Sequence, residues 1–394
     1  MSQAAADTID RFGDPLGFKV RQGTARSPLS GRAGSDVIKV EARQMAHHQK
    51  ECIVTEGAGG SAWRLSSDEG KALRGTDLAP FPLGFFNAGL QSDIFGRLRT
   101  LAAQRNIALD AIAIRVQNDY AFTGSFIHGT GVGHAAPSVI DVEVQSGAGG
   151  SEVDALVRAA VDASPAVAYL RAALTGNTFA LYINGRRREV EAVANSPAPD
   201  AADPYRVYAR APRPLDATVD QGLIVKTGRQ EPGDAPVSPA NPAGKVGWSI
   251  LGAGKQVGDD GRYEVDTWIA RAGSSHFRVA SDEGTTDAAP SGLALLSAGI
   301  AFCYMTQLSR YIENMKLAIG GARLVQYNAY STGDRAGVQP IDTHLFLNGE
   351  APDETHLQLL TVAAQTCYLH AASKAPLDPT VRVVHNGNEI ARAA

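Results

Sequence analysis

At 394 residues, with 44% hydrophobic and 20% charged residues, the chain exceeds one ordinary domain and carries apolar material for two cores. A formal charge of −4 and the lack of any basic run leave no electrostatic footprint for nucleic acid, and three cysteines are too few for a disulfide scaffold. No apolar stretch is expected to reach the roughly 18–20 residues that cross a bilayer. The opening MSQAAADTIDRFGDPLGF is acidic where a secretory leader is basic and then apolar, so a cytoplasmic chain is expected.

In chain order, SDVIKVEARQ alternates as a half-buried strand, and an apolar helix is predicted over about Leu83–Gln104. Strands follow in ALDAIAIRVQNDY and SVIDVEVQS, separated by AFTGSFIHGTGVGHAAP, whose GTGVG reads as a flexible loop because no Walker lysine accompanies it. A second helix is predicted over Glu152–Leu174 and a strand over Thr178–Ile183. Residues 191–244 hold nine of the 20 prolines and read as extended linker, with DQGLIVKTG able to add a strand. The pattern then recurs: strand GRYEVDTWIAR, a helix over Ser291–Asn314, strands LAIGGARLVQYNAY and IDTHLFLNG, a helix over Asp353–Ser373, and a strand over Thr380–His385.

The recurrence extends to the residues themselves. WRLSSDEG at Trp63 returns as FRVASDEG at Phe277, and TDLAPFPLGFFNAG at Thr76 returns as TDAAPSGLALLSAG at Thr286. VQNDY, VIDVEV and INGRRREV find VQYNAY, PIDTHL and HNGNEI in the same order. Five ordered matches point to a duplication, with units over 18–190 and 245–394 joined by the 191–244 linker.

Cys303 falls on the first helix of the second unit and Cys367 on its second helix, 64 positions later. Such a pair can be two buried small hydrophobes, half of a metal site with His370 one turn beyond Cys367, or a redox pair in which one thiolate attacks and the other closes a disulfide. In the first unit Asp93 replaces the first cysteine and Ser164 the second, while Cys52 lies elsewhere, near His47 and His48, short of a full metal-ligand set. Asp93 reads either as a relic of the lost site or as part of a modified one.

The order of strands, a helix with SAGxxxC, two strands and a second cysteine helix resembles the OsmC/Ohr family of thiol-dependent organic hydroperoxide reductases. The resemblance implies an α+β fold in which two modules, each an antiparallel sheet with a long central helix, interlock as an intramolecular pseudo-dimer. It implies that Cys303 attacks and Cys367 resolves, or the reverse, with no cofactor or metal. The family's arginine falls on Arg262 or on Arg278 (matched by Arg64), and Leu293 stands where its glutamate is expected, with Asp282, Glu283 or Asp287 as substitutes. The implied partners are a small-molecule hydroperoxide and a dithiol reductant, with neither nucleic acid nor membrane, in a monomer or a homodimer. Two other readings stand beside it: covalent catalysis by Cys303 on a sulfur-containing or acylated molecule, with Asp93 as acid/base partner, and a small-molecule-binding stress protein with inert cysteines.

Overall fold

In the computed structural model, residues 7–12, 15–24, 36–216, 221–231, 246–284, 286–332 and 336–391 are described. The first half runs β1 (Gly17–Arg21), β2 (Asp36–Gln44), β3 (Lys50–Glu56), β4 (Ala62–Ser67), α1 (Pro82–Gln104), β5 (Ala111–Thr123), β6 (Val139–Gln145), α2 (Gly150–Asp162), α3 (Pro165–Arg171) and β7 (Thr178–Ile183). The second runs β8 (Ile224–Arg229), β9 (Val246–Val257), β10 (Arg262–Ile269), β11 (Ser275–Asp282), α4 (Gly292–Asn314), β12 (Ile319–Ser331), β13 (Asp342–Gly349), α5 (Asp353–Thr366), α6 (Tyr368–Ala372) and β14 (Thr380–His385). Alternation builds the strands as predicted: Ile112, Ile114, Val116 and Tyr120 of β5 all face the core.

The result is a mixed α/β fold with two mainly antiparallel sheets, ordered β1-β4-β3-β2-β12-β13-β7 and β8-β11-β10-β9-β5-β6-β14. Each sheet takes strands from both halves. Tyr327 of β12 pairs with Lys39 of β2, and Ile250 of β9 with Asn118 of β5. One departure from the sequence reading follows: the β13–β7 and β6–β14 pairs are parallel, so the sheets are not antiparallel throughout. The segment read as linker also contributes β8, which pairs with β11 as β1 pairs with β4. The proline-rich stretch at 232–244 lies outside the described residues.

Helix α4 lies on β2, β3 and β12, and α1 on β9, β10 and β5, so the two helices meet back to back between the sheets. They run antiparallel and very close. A Cβ added to Gly89 would lie 2.5 Å from the Gly292 carbonyl oxygen and 2.5 Å from the Leu296 nitrogen, and one on Gly299 would lie 2.7 Å from the Phe86 nitrogen. This close approach accounts for the glycines of NAG in α1 and SAG in α4. Because backbone rather than side-chain atoms block the space, Gly89→Ala is expected to lower unfolding stability by roughly 1–3 kcal/mol in denaturant titration. Gly147→Ala, with nothing within 4 Å, is the control expected to change little.

By length and composition α4 does reach what a membrane span requires (23 residues, with an 18-residue window of mean hydropathy 1.4), which corrects the expectation that no stretch would. All of that window is buried inside the fold, against α1 and the first sheet. The second helix of each half is also broken rather than continuous. Pro165, which lacks an N–H, starts α3 behind the Ser164 cap, whose hydroxyl accepts from the Val167 nitrogen at 3.2 Å.

Candidate active site

The break between α5 and α6 falls on Cys367, whose extended backbone (φ −70°, ψ 118°) ends one helix and begins the next. It places the Cys367 Sγ 3.3 Å from the Cys303 Sγ on α4. One turn into α6, His370 Nδ1 lies 3.2 Å from the Cys367 Sγ. Both cysteines are free thiols and buried. Burial pushes the Cys303 thiol well above its ordinary pKa, and its hydrogen bond with Cys367 and the charge of Glu69 act in the same direction. Burial also acts to raise Cys367, but the hydrogen bond with Cys303 and the charge and hydrogen bond of His370 outweigh it, holding this thiol well below its ordinary value. The pair thus favours one negative charge, carried on Cys367.

A narrow crevice reaches Cys303. Its apolar walls are Leu73, Phe81, Pro82 and Leu83 from the first half and Trp248, Ile250, Ile269 and Tyr368 from the second; Glu69, Thr306 and Gln307 add polar atoms. A wider groove on the second sheet, between Ala113, Glu143, Gln145 and Lys255, contains no cysteine and lies apart from this chemistry.

Glu69 arrives from the first half on a loop organised by Asp68. That carboxylate accepts from the Glu69 nitrogen (2.7 Å), the Thr76 hydroxyl (2.5 Å) and the Leu78 nitrogen (3.0 Å). Asp282 does the same for the Gly284 nitrogen, the Thr286 hydroxyl and the Ala288 nitrogen, which is the physical reason SDEG and TD recur together. Glu69 in turn accepts from Thr306 and from Lys50 Nζ at 3.2 Å, and Lys50, fully buried, also donates to the His48 carbonyl at 2.7 Å. Lys50 and Glu69 are the charged groups that the sequence reading missed. The repeated SDEG is the available signal, but the resemblance puts the expected acid in the same half as the cysteine, whereas the Glu69 that lines the crevice comes from the other half.

The predicted arginines do not join the cysteines. Arg262 opens β10, whose far end, Ile269, lines the crevice; seven residues of extended chain put about 23 Å between them. Arg262 lies 3.6 Å from Glu264. Arg278, partly exposed, faces Glu264 at 3.6 Å and Asp266 at 3.4 Å, and its counterpart Arg64 pairs with Glu51 at 2.8 Å; both are sheet-face ion pairs. Of the acids considered as substitutes, Glu283 accepts from the Gly292 nitrogen and Asp287 accepts from Lys19 and Ser61, at or ahead of the N-terminal end of α4, whereas Cys303 lies at the middle of that helix.

Asp93 also lies beside the N-terminal end of α4. An added Cβ at Gly292 would lie 2.5 Å from the Asp93 nitrogen, and the eleven helical residues from Gly292 to Cys303 span about 16 Å. The Asp93 carboxylate is fully buried and engaged, accepting from Arg97 Nη2 (2.8 Å) and Nε (3.1 Å), the Ser164 hydroxyl (2.6 Å) and the Ala166 nitrogen (3.1 Å). Ser164 therefore stands to Asp93 as Cys367 stands to Cys303, and Asp93 is out of reach as an acid/base partner for Cys303.

Cys52 lies inside β3, its thiol pushed far up by burial. Among the described residues no three His, Cys, Asp or Glu side chains are placed to hold a metal. The GTGVG segment covers the cysteine turn: a Cβ added to Gly133 would lie 2.7 Å from the Thr366 carbonyl oxygen.

No family model and no curated protein matches the chain. Among solved structures it is similar to an OsmC-like hydroperoxide resistance protein from Jannaschia sp. CCS1, with 22% identity, coverage of 31% of this chain and 83% of that one, and a TM-score of 0.20.

Proposed function

We propose that the chain is an OsmC-like thiol peroxidase, formed by two diverged copies of one module, that reduces organic hydroperoxides at Cys303 and Cys367. The observation that carries this reading is the approach of two free thiols, distant in sequence, to 3.3 Å, with one of them lining an apolar crevice. In the proposed reaction the Cys303 sulfur attacks the outer peroxide oxygen, the O–O bond breaks, and the alkoxide takes a proton and leaves as the alcohol. Cys367 then attacks the Cys303 sulfenic acid, an S–S bond forms, and water leaves. A disulfide needs about 2.05 Å between sulfurs, so closure asks for side-chain adjustment rather than a change of fold. A dithiol reductant, exchanging with the disulfide, would restore the pair.

The crevice walls favour a substrate with an apolar body, because burying apolar surface is the main attraction that such a cleft offers. The fused, exchanged sheets give one half the thiols and let the other supply Glu69, Lys50 and part of the wall. Covalent catalysis assisted by Asp93 loses its acid/base group to distance.

Reduced protein exposed to cumene hydroperoxide is expected to lose two hydrogens by intact mass and to retain one alkylatable thiol, Cys52, after denaturation. Hydrogen peroxide should act more slowly. Cysteines 303 and 367 still reduced after cumene hydroperoxide treatment would overturn the proposal.

A further inference from the structure

We infer that Cys303, Cys367 and His370 form a three-member relay, in which the imidazole holds Cys367 as the resting thiolate and Cys367 takes the proton from Cys303 as Cys303 attacks. The substrate rests on the peroxidase reading above; the relay itself does not.

Geometry is the first support. The two contacts, 3.2 Å from His370 Nδ1 to the Cys367 Sγ and 3.3 Å from there to the Cys303 Sγ, link the three groups in series. The His370 ring sits against Phe179 and Tyr304, at 6.0 and 5.3 Å between centroids, and is 2% exposed. Its Nε2 has no hydrogen-bond partner among the described residues. A buried, unpartnered ring nitrogen is a cost that an aliphatic side chain would avoid. The first half contains that alternative. Where the sulfur positions are held by Asp93 and Ser164, the residue three beyond Ser164 is Val167, fully buried. The imidazole thus accompanies the thiols and is replaced by a packing residue where they are absent.

The surroundings put the anion at the His370 end. Glu69 lies on the Cys303 side, in the crevice wall. Tyr120 of β5, Tyr169 of α3, Tyr304 of α4 and Tyr330 of β12 are all raised by burial, and burial pushes Tyr368 of α6 up to about 12 against the lowering charge of Arg310. These phenols therefore stay neutral across the working pH range, leaving His370 and Glu69 to bias the two sulfurs in opposite senses.

The proton account closes. The Cys303 proton passes to the Cys367 thiolate as the Cys303–oxygen bond forms and the O–O bond breaks, and the alkoxide is protonated from water. The Cys367 thiol then attacks the Cys303 sulfenic acid, and its proton goes to the oxygen that departs as water. The net change is two thiols and one hydroperoxide to one disulfide, one alcohol and one water.

His370 is a positioning residue in this scheme, and pH dependence separates that role from simple packing. Thiolate absorbance of the reduced wild-type protein should titrate below the free-cysteine value of about 8.5. In His370→Asn the midpoint should rise by about one pH unit or more, and peroxide-driven oxidation at neutral pH should slow about tenfold, recovering as the pH rises. His370→Gln serves as the second variant if His370→Asn unfolds, and the wild-type titration needs neither. A wild-type midpoint at or above the free-cysteine value, or the same midpoint in wild type and variant, overturns the relay. If the midpoint shifts while neither protein reacts with peroxide, the relay stands and the peroxidase reading falls; an unshifted midpoint in a protein that does react with peroxide has the reverse meaning.

Discussion

Cys303→Ser is expected to abolish hydroperoxide turnover, a loss of roughly three orders of magnitude or more, with the fold intact. Serine is close to cysteine in shape, and the Cys303 Sγ makes its contact with Cys367 from a helix whose position is set by backbone packing against α1. The change therefore removes the sulfur that faces the crevice without removing a structural tie. Cys367→Ser should behave differently. Cys303 can still attack once, but without a neighbouring thiol its sulfenic acid persists and is oxidised further, so intact mass gains oxygen instead of losing hydrogen. Turnover by Cys303→Ser at the wild-type rate would end the assignment of Cys303 as the attacking sulfur.

Lys50→Met is expected to lower stability by about 3–5 kcal/mol, because it strands the Glu69 carboxylate in a buried site. Lys50 is fully buried, lies 3.2 Å from Glu69 and also serves the His48 carbonyl, so no solvent compensates for its loss. Combining it with Glu69→Gln removes the uncompensated charge, and the double variant should unfold at a higher denaturant concentration than Lys50→Met alone. A cost below about 1 kcal/mol would be that of an exposed ion pair and would contradict the burial described here.

Much of the architecture was legible because it is written in local chemistry. The central helices came out within a residue or two of Pro82–Gln104 and Gly292–Asn314, since their small-residue pattern and the Asp68 and Asp282 loops ahead of them are short-range features. Pro165 could have announced the break after Ser164; Cys367, with tyrosine next, carries no such mark. What was not legible depended on contacts across the two halves. Glu69 lies 234 positions before Cys303, and only the fold brings it into the same crevice. Arg262 fitted the expected order of residues but sits at the wrong end of its strand, a distinction that one-dimensional spacing does not contain.

The exchange of strands also governs how such a chain is made. On the ribosome, β2 and β5 emerge long before β12 and β9, their partners in register, so the nascent first half carries two open sheet edges until the second half is synthesised. Folding must await nearly the whole chain and is exposed meanwhile to edge-to-edge association. The same exchange makes a cut between the halves tolerable in principle. Each fragment holds the strands that the other lacks, so separately produced pieces are expected to reassemble only by complementing one another, and the crevice at Cys303 would form at that moment and not before.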